Sequence, residues 1–402
     1  MNPLTSLGLI LLVSLIAGHL VKFARVPEVT GYILAGLALG PSGLGWIGEQ
    51  NLTGLGIISE VALGLILFSI GSIFRFDRFR QIRRAVVRIT LTDAVLVFVA
   101  VTGTMLLLRV PVEAAVILGA IAIETAAASS VMVMREYNAA GPLTENLLGM
   151  IAINNVVCLG AFSVAVSLIQ LGHVWTLHEA LSATYRPIFL LAWQLLGSAA
   201  LGYLVGALLS SWAPHVVEHG ETLILLIGSL LLCVGLSIHL ELSTLVASLA
   251  IGATAANFSS HSRRLAEVQS RTDPPFYAVF FVIAGANLHV GMLKSLGVIG
   301  VAYVVARAAA KIGGATLGGR RTDLPAAARR NLRFATLPHA GLAIGLVLSL
   351  EKQLPQVAPT VSTVVLAAIL IFEVLGPVST RLALIRSGES RRREAEPAGG
   401  FD

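Results

Sequence analysis

The stretch from 114 to 134, AAVILGAIAIETAAASSVMVM, carries a carboxylate in the middle of an apolar run, at Glu124-Thr125-Ala126-Ala127-Ala128-Ser129-Ser130. About twenty apolar residues in helical form cross a hydrocarbon core of about 30 Å. An ionised side chain at the centre of such a span costs on the order of 2.5–3.5 kcal/mol on insertion scales, so it needs a partner, water or a function. Small and hydroxyl-bearing residues beside it mark a helix that is interrupted where it lines a cavity instead of acyl chains. A second interruption, Leu337-Pro338-His339-Ala340-Gly341, sits in the apolar stretch 334–350.

Outward from these two, apolar runs recur at 4–21, 30–47, 55–73, 86–108, 114–134, 147–171, 187–212, 222–239, 243–258, 275–290, 295–317, 334–350 and 359–385. The pattern predicts an all-α polytopic membrane protein of about thirteen transmembrane helices, because helices satisfy their own backbone groups in lipid. The interruptions fall on the fifth and twelfth spans, seven apart, and an odd offset makes a repeat inverted in the membrane. Paired broken helices in inverted halves point to a transport site near the midplane. The alternative is that each is a kinked packing helix with small residues at an interface.

Composition agrees: of 402 residues, 56% are hydrophobic and 12% charged, and mean hydropathy is +0.84, far more apolar than a soluble domain. Residues 1–386 read as a single transmembrane unit and 387–402 as a disordered cytoplasmic tail. In the first run the positive residues Lys22 and Arg25 follow the apolar stretch, so it reads as a retained span and not a cleaved leader. Cys158 and Cys233 lie in apolar runs and read as buried small hydrophobes.

With the N-terminus outside, the loops assigned to the inside hold 22 of the 28 Lys and Arg, those outside hold Arg109, Arg186, Lys294 and Lys352, and Arg307 and Lys311 fall within a span. This sorting by side is the positive-inside pattern, and it places the C-terminus in the cytoplasm. It also accounts for the net positive charge without a nucleic-acid partner. No phosphate-binding loop, nucleophilic triad or dinucleotide fingerprint sits where its chemistry needs it, so neither an enzyme nor a cofactor is expected. His239 and Glu241 lack the convergent ligands of a metal site.

Several segments carry a family resemblance. Val26-Pro27-Glu28-Val29-Thr30-Gly31-Tyr32-Ile33-Leu34-Ala35-Gly36, ending in Leu39-Gly40-Pro41, resembles the opening of bacterial monovalent cation:proton antiporters of the sodium/proton-exchanger superfamily. Gly64-Leu65-Ile66-Leu67-Phe68-Ser69-Ile70-Gly71 and Phe280-Phe281-Val282-Ile283-Ala284-Gly285 are similar to further stretches of it, in family order. The resemblance implies two inverted repeats with two broken crossing helices in a core domain, here mainly 86–171 and 295–385. It also implies a dimer domain, here mainly 1–75 and 222–290, a homodimer in a bacterial inner membrane, and exchange of Na⁺ or K⁺ for H⁺ by alternating access.

The family's ion site uses an Asn-Asp or Asp-Asp pair on the sixth span, where this chain has Asn154-Asn155, and often Thr-Asp on the fifth, where it has Thr125-Ala126. An amide offers a carbonyl oxygen to a cation but does not titrate. Glu124 is therefore the expected titrating residue, with Thr125, Ser129, Ser130, Asn154 and Asn155 lending oxygens; the alternative is a structural Glu paired permanently with a cation on another span. Arg307 and Lys311, one turn apart in Arg-x-x-x-Lys-x-x-Gly, are the expected charge partners. They either neutralise an empty site, form a fixed salt bridge to Glu124 or Asp93, or snorkel to the surface. Asp93, beside Thr90 and Thr92, reads as structurally paired. His339 reads as a pH sensor or a hydrogen-bonded packing histidine, and Glu60 and Glu373 as packing residues. Loss of both usual acids leaves open a coupling-deficient sensor or partner subunit, an uncoupled cation pathway, or a symporter.

Overall fold

The computed structural model describes residues 2–24, 26–171, 189, 192–216, 218–288, 291 and 297–391. Arg25, Arg186, Lys294 and the tail from 392 onward lie outside the described residues. Every element within them is helical. In chain order they are α1 (Pro3–Phe23), α2 (Glu28–Leu39), α3 (Glu49–Gly54), α4 (Gly56–Ile73), α5 (Phe76–Leu107), α6 (Val112–Ala122), α7 (Ala127–Glu136) and α8 (Pro142–Leu171). There follow α9 (Ser198–Trp212), α10 (His219–His239), α11 (Thr244–Phe258), α12 (Ser262–Ala286), α13 (Gly297–Gly319), α14 (Ala326–Ala335), α15 (Gly341–Gln353) and α16 (Ala358–Ser387).

Local chemistry sets many of these boundaries. Proline stands immediately before α2, α6 and α14 at Pro27, Pro111 and Pro325, where its fixed φ suits the entry to a helix and no amide is lost from the ladder. Glu28 and Glu113 occupy first turns, where the helix dipole favours an anion. Pro338 stops the twelfth span three residues beyond α14, and α16 ends on Gly388 with φ of 76°.

Eight spans among the described residues are long and apolar enough to cross a membrane, the broken α6–α7 counted as one. The others read in the sequence fall on shorter apolar helices, namely α2, α4, α11 and α15, and on α12, whose first half is charged. Thirteen stands as the expectation from hydropathy, not as a count.

The helices pack in two groups. One holds α1, α2, α4, α9, α10, α11 and α12; the other holds α5, α6, α7, α8, α13, α14, α15 and α16, with α5 lying along α13. In the first group the closest crossings have no room for side chains. A Cβ on Gly36 would overlap the Val282 carbonyl and one on Gly285 the Ile33 carbonyl, joining α2 to α12; Gly71 and Gly252 meet the Leu249 and Phe68 carbonyls in the same way, joining α4 to α11. Small residues let backbones approach where lipid removes the hydrophobic drive for association.

At the end of the molecule that carries the basic loops, polar contacts tie the groups together. Arg135 of α7 pairs with Asp273 of α12, and the Glu136 carboxylate accepts from the Glu28 amide at 2.8 Å. Residues 387–391, read above as the start of a disordered tail, are instead held. Glu389 accepts from the Leu143 and Thr144 amides at 2.6 and 2.9 Å and from the Thr144 hydroxyl at 2.8 Å. Its carboxylate caps the free N–H groups at the start of α8.

Substituting Gly252→Ala should destabilise the protein by on the order of 1–3 kcal/mol through overpacking, seen as a lower midpoint of thermal unfolding in detergent. Gly235→Ala on α10, where a Cβ meets open space, should leave the midpoint unchanged or raise it. Equal midpoints for wild type and Gly252→Ala would contradict the packing described.

Candidate functional site

The two interruptions meet. The Ala126 amide donates to the Pro338 carbonyl at 3.1 Å, linking the break between α6 and α7 to that between α14 and α15. Breaking a helix in lipid strands carbonyls that water cannot reach. Arg307 of α13, fully buried, takes four of them. Its Nε donates to Ala122 O at 3.1 Å, one terminal nitrogen to Leu337 O at 2.8 Å, and the other to Glu124 O at 2.7 Å and Pro338 O at 3.3 Å. These lie at the C-terminal ends of α6 and α14, so the cation also faces the negative ends of two helix dipoles. The guanidinium rests 4.5 Å from the centre of the Phe372 ring.

Lys311, one turn along α13 and also fully buried, uses all three of its donors: Asp93 Oδ2 at 2.9 Å, Ile123 O at 2.6 Å and Thr125 Oγ1 at 2.9 Å. Asn154 Nδ2 donates into the same cluster, to Thr125 Oγ1 at 3.1 Å and Asp93 Oδ2 at 3.3 Å. Gly314 makes this reachable, since α13 lies against the Asp93 backbone where any Cβ would be crowded. Of the readings kept open for Lys311, the geometry is that of an ion pair with Asp93.

Glu124 is not the partner of either basic side chain: Arg307 meets its backbone carbonyl, not its carboxylate. Glu124 Oε2 instead lies 2.6 Å from His339 Nδ1 and accepts from the Ala340 amide at 3.2 Å, at the N-terminal end of α15. A helix N-terminus favours an anion there. His339 Nε2 is 3.4 Å from the Tyr303 hydroxyl.

Glu124 and Asn155 line a cavity of about 270 Å³ between the two helix groups. One wall is Ile33, Leu63, Leu67, Phe280 and Phe281; the other includes Ala126–Ala128, Gly341 and Glu373. The cavity extends from the breaks toward the Ser243–Thr244 turn that starts α11, away from the Arg135–Asp273 contact. Thr125 and Asn154 are in the lysine cluster behind it. Ser130 does not join either group, because its hydroxyl donates to Ala126 O at 2.8 Å. Ser129 is buried, does not line the cavity, and its Oγ has no hydrogen-bond partner. Glu373, taken from the sequence as a packing residue, lines the cavity; the signal was present, since it is a carboxylate in an apolar run like Glu124. Glu60 does not line it.

The transmembrane sodium/hydrogen exchanger family model matches residues 8–385. The chain belongs to this family. Among curated exchanger relatives it is similar to the ammonium/H⁺ antiporter subunit AmhT of Alkalihalophilus pseudofirmus, 26% identical over 79% of this chain and 78% of that protein. It is also similar to the Na⁺/H⁺-K⁺ antiporter GerN of Bacillus cereus, 25% identical over 80% of each. In fold, the exchanger resembles the sodium proton antiporter MjNhaP1 of Methanocaldococcus jannaschii, with TM-score 0.71, 16% identity and coverage of 95% of this chain and 94% of that one. A second structure of MjNhaP1, at pH 8, gives TM-score 0.64 at 17% identity over 98% and 99% of the two chains.

The lysine cluster makes a stability prediction. Lys311→Met alone should cost about 3–5 kcal/mol, because it strands a buried carboxylate. The double substitution Asp93→Asn with Lys311→Met should recover most of that loss in thermal unfolding of the detergent-solubilised protein. Additive losses would mean that the two side chains act independently.

Proposed function

We propose that this exchanger moves a monovalent cation in one direction and H⁺ in the other, with Glu124 as the carboxylate both compete for. One observation carries the reading: Glu124 faces a cavity between the two helix groups and is paired with neither Arg307 nor Lys311. Arg307 and Lys311 have their own partners, so a cation arriving in the cavity meets a carboxylate held by hydrogen bonds to His339 and Ala340. Asn155 Oδ1, buried and without a hydrogen-bond partner, supplies a neutral oxygen of the kind hard cations accept. The named activities of the relatives make Na⁺, K⁺ and NH₄⁺ the cations to try.

Alternating access gives the two helix groups their roles. The group holding α5–α8 and α13–α16 is the moving core, and the group holding α1, α2, α4 and α9–α12 is the dimer-forming frame of a homodimer. The cavity reaches toward the side away from the basic loops, at the Ser243–Thr244 turn. With those loops in the cytoplasm of a bacterial inner membrane, the arrangement corresponds to an outward-facing state. It is closed on the inside by Arg135–Asp273 and Glu28–Glu136.

A second reading is favoured by one feature, the neutral Asn154-Asn155 pair: a partner or sensor subunit without coupled exchange. Proteoliposomes with an imposed pH gradient separate the two. Na⁺, K⁺ or NH₄⁺ should evoke proton flux with wild-type protein, and Glu124→Gln should reduce it to the level of empty liposomes with unchanged expression. No flux from folded wild type with any of the three favours the second reading, and flux undiminished in Glu124→Gln removes Glu124 from the role.

A further inference from the structure

Glu373 lies on α16 in the middle of the membrane region, and its side chain is almost wholly buried, at 5% exposure. Its neighbours on the helix have clear structural roles. Phe372 receives the Arg307 guanidinium on its ring, and Gly376 gives Pro338 room to pack, since a Cβ there would crowd the Pro338 ring and Cα. These contacts fix α16 against the second break and leave Glu373 turned into the cavity that Glu124 and Asn155 also line.

Asp93 leaves its Oδ1 without a hydrogen bond but has its other oxygen paired, with Lys311 and Asn154. Glu124 has His339 and Ala340. Glu373, by contrast, has no ion pair or side-chain hydrogen bond among the described residues, and its Oε2 is buried. A buried carboxylate left without partners is strongly disfavoured. The group is therefore stable only with a proton on it or with a cation beside it. Of the charged and titratable groups around it, Glu124 lines the same cavity, and His339 and Arg307 are packed against the adjacent Phe372. Arg307 is committed to its four carbonyls and His339 to Glu124.

We infer that Glu373 is a second carboxyl of the transport site, which binds a monovalent cation together with Glu124 and Asn155 and holds a proton when the cation is absent. The inference rests on the reading of the cavity as the cation site. One monovalent cation neutralises one carboxylate, so the pair holds two protons when the cation is absent and keeps one when a cation is bound between them. One H⁺ leaves as one cation enters, and Asn155 completes a set of oxygens from three helical segments. A glutamate that only filled space on α16 would tolerate glutamine without a change in cation affinity.

The experiment is a calorimetric titration of NaCl, KCl and NH₄Cl into the purified protein in detergent, run beside the liposome flux assay. Glu373→Gln, nearly isosteric, should weaken cation binding roughly tenfold or more, as expected for the loss of one charge-assisted contact, and raise the apparent KM for the cation in parallel. Glu373→Asp, which keeps the charge, should recover part of both, and size-exclusion profiles of the two variants should match wild type. Unchanged affinity and KM in Glu373→Gln would overturn the assignment, as would failure of wild type to bind any of the three cations. Wild type that binds a cation without moving protons defeats the exchange reading alone, and the titration still judges Glu373. If Glu373→Gln does not fold, Glu373→Asp decides: affinity equal to wild type overturns the assignment, and an intermediate affinity supports it.

Discussion

The guanidinium of Arg307 is the constraint on which the arrangement depends. Two helices are broken inside a membrane, and the exposed ends of α6 and α14 leave carbonyls that lipid cannot satisfy. One buried cation reaches four of them at once. Without it, the carbonyls of Ala122, Glu124 and Leu337 would lose this donor and the two helix C-termini the guanidinium charge facing them. With it, the segments between the half-helices become free to present side chains, and Glu124 is delivered to the N-terminal end of α15.

The remaining charges follow from that division. Lys311 reaches past the first break to Asp93, with Thr125 and the Ile123 carbonyl filling its other donors. The lysine and the aspartate balance each other's charge. Glu124 and Glu373 are on the opposite side, toward a cavity bounded by a different helix group. The ion pair that supports the crossing is thus separate from the two carboxyls that line the cavity. The cavity lies between the two groups, which are joined by the Arg135–Asp273 and Glu28–Glu136 contacts and by apolar packing. The contacts of Arg307 all fall within one group, so a relative movement of the groups would change access to the cavity and leave them in place.

Much of this was legible in the sequence, for physical reasons that differ by element. Lipid admits few backbone solutions, so long apolar runs read directly as helices, and the interruptions at Glu124-Thr125 and Pro338-His339 stand out as breaks. The partners did not read out. Lys311 and Asp93 are 218 residues apart, and nothing in their spacing separates a lysine bound to Asp93 from one bound to Glu124. His339 was visible as a histidine in a break, but its contact with Glu124 depends on the crossing. Ser130 looked like an oxygen donor, yet a serine on a helix readily bonds the carbonyl one turn back. Glu389 seemed to belong to a free tail because its charge and the glycine before it fit disorder, whereas the start of α8 needed a cap.

In the proposed exchange the cation meets Glu124, and not Asp93. Infrared difference spectroscopy of the purified protein, cation-free against cation-bound, tests it directly through the carbonyl stretch of a protonated carboxyl. A carboxyl band lost on cation binding should survive in Asp93→Asn and be abolished or altered in Glu124→Gln. A band that is unaffected in Glu124→Gln and disappears in Asp93→Asn would contradict it.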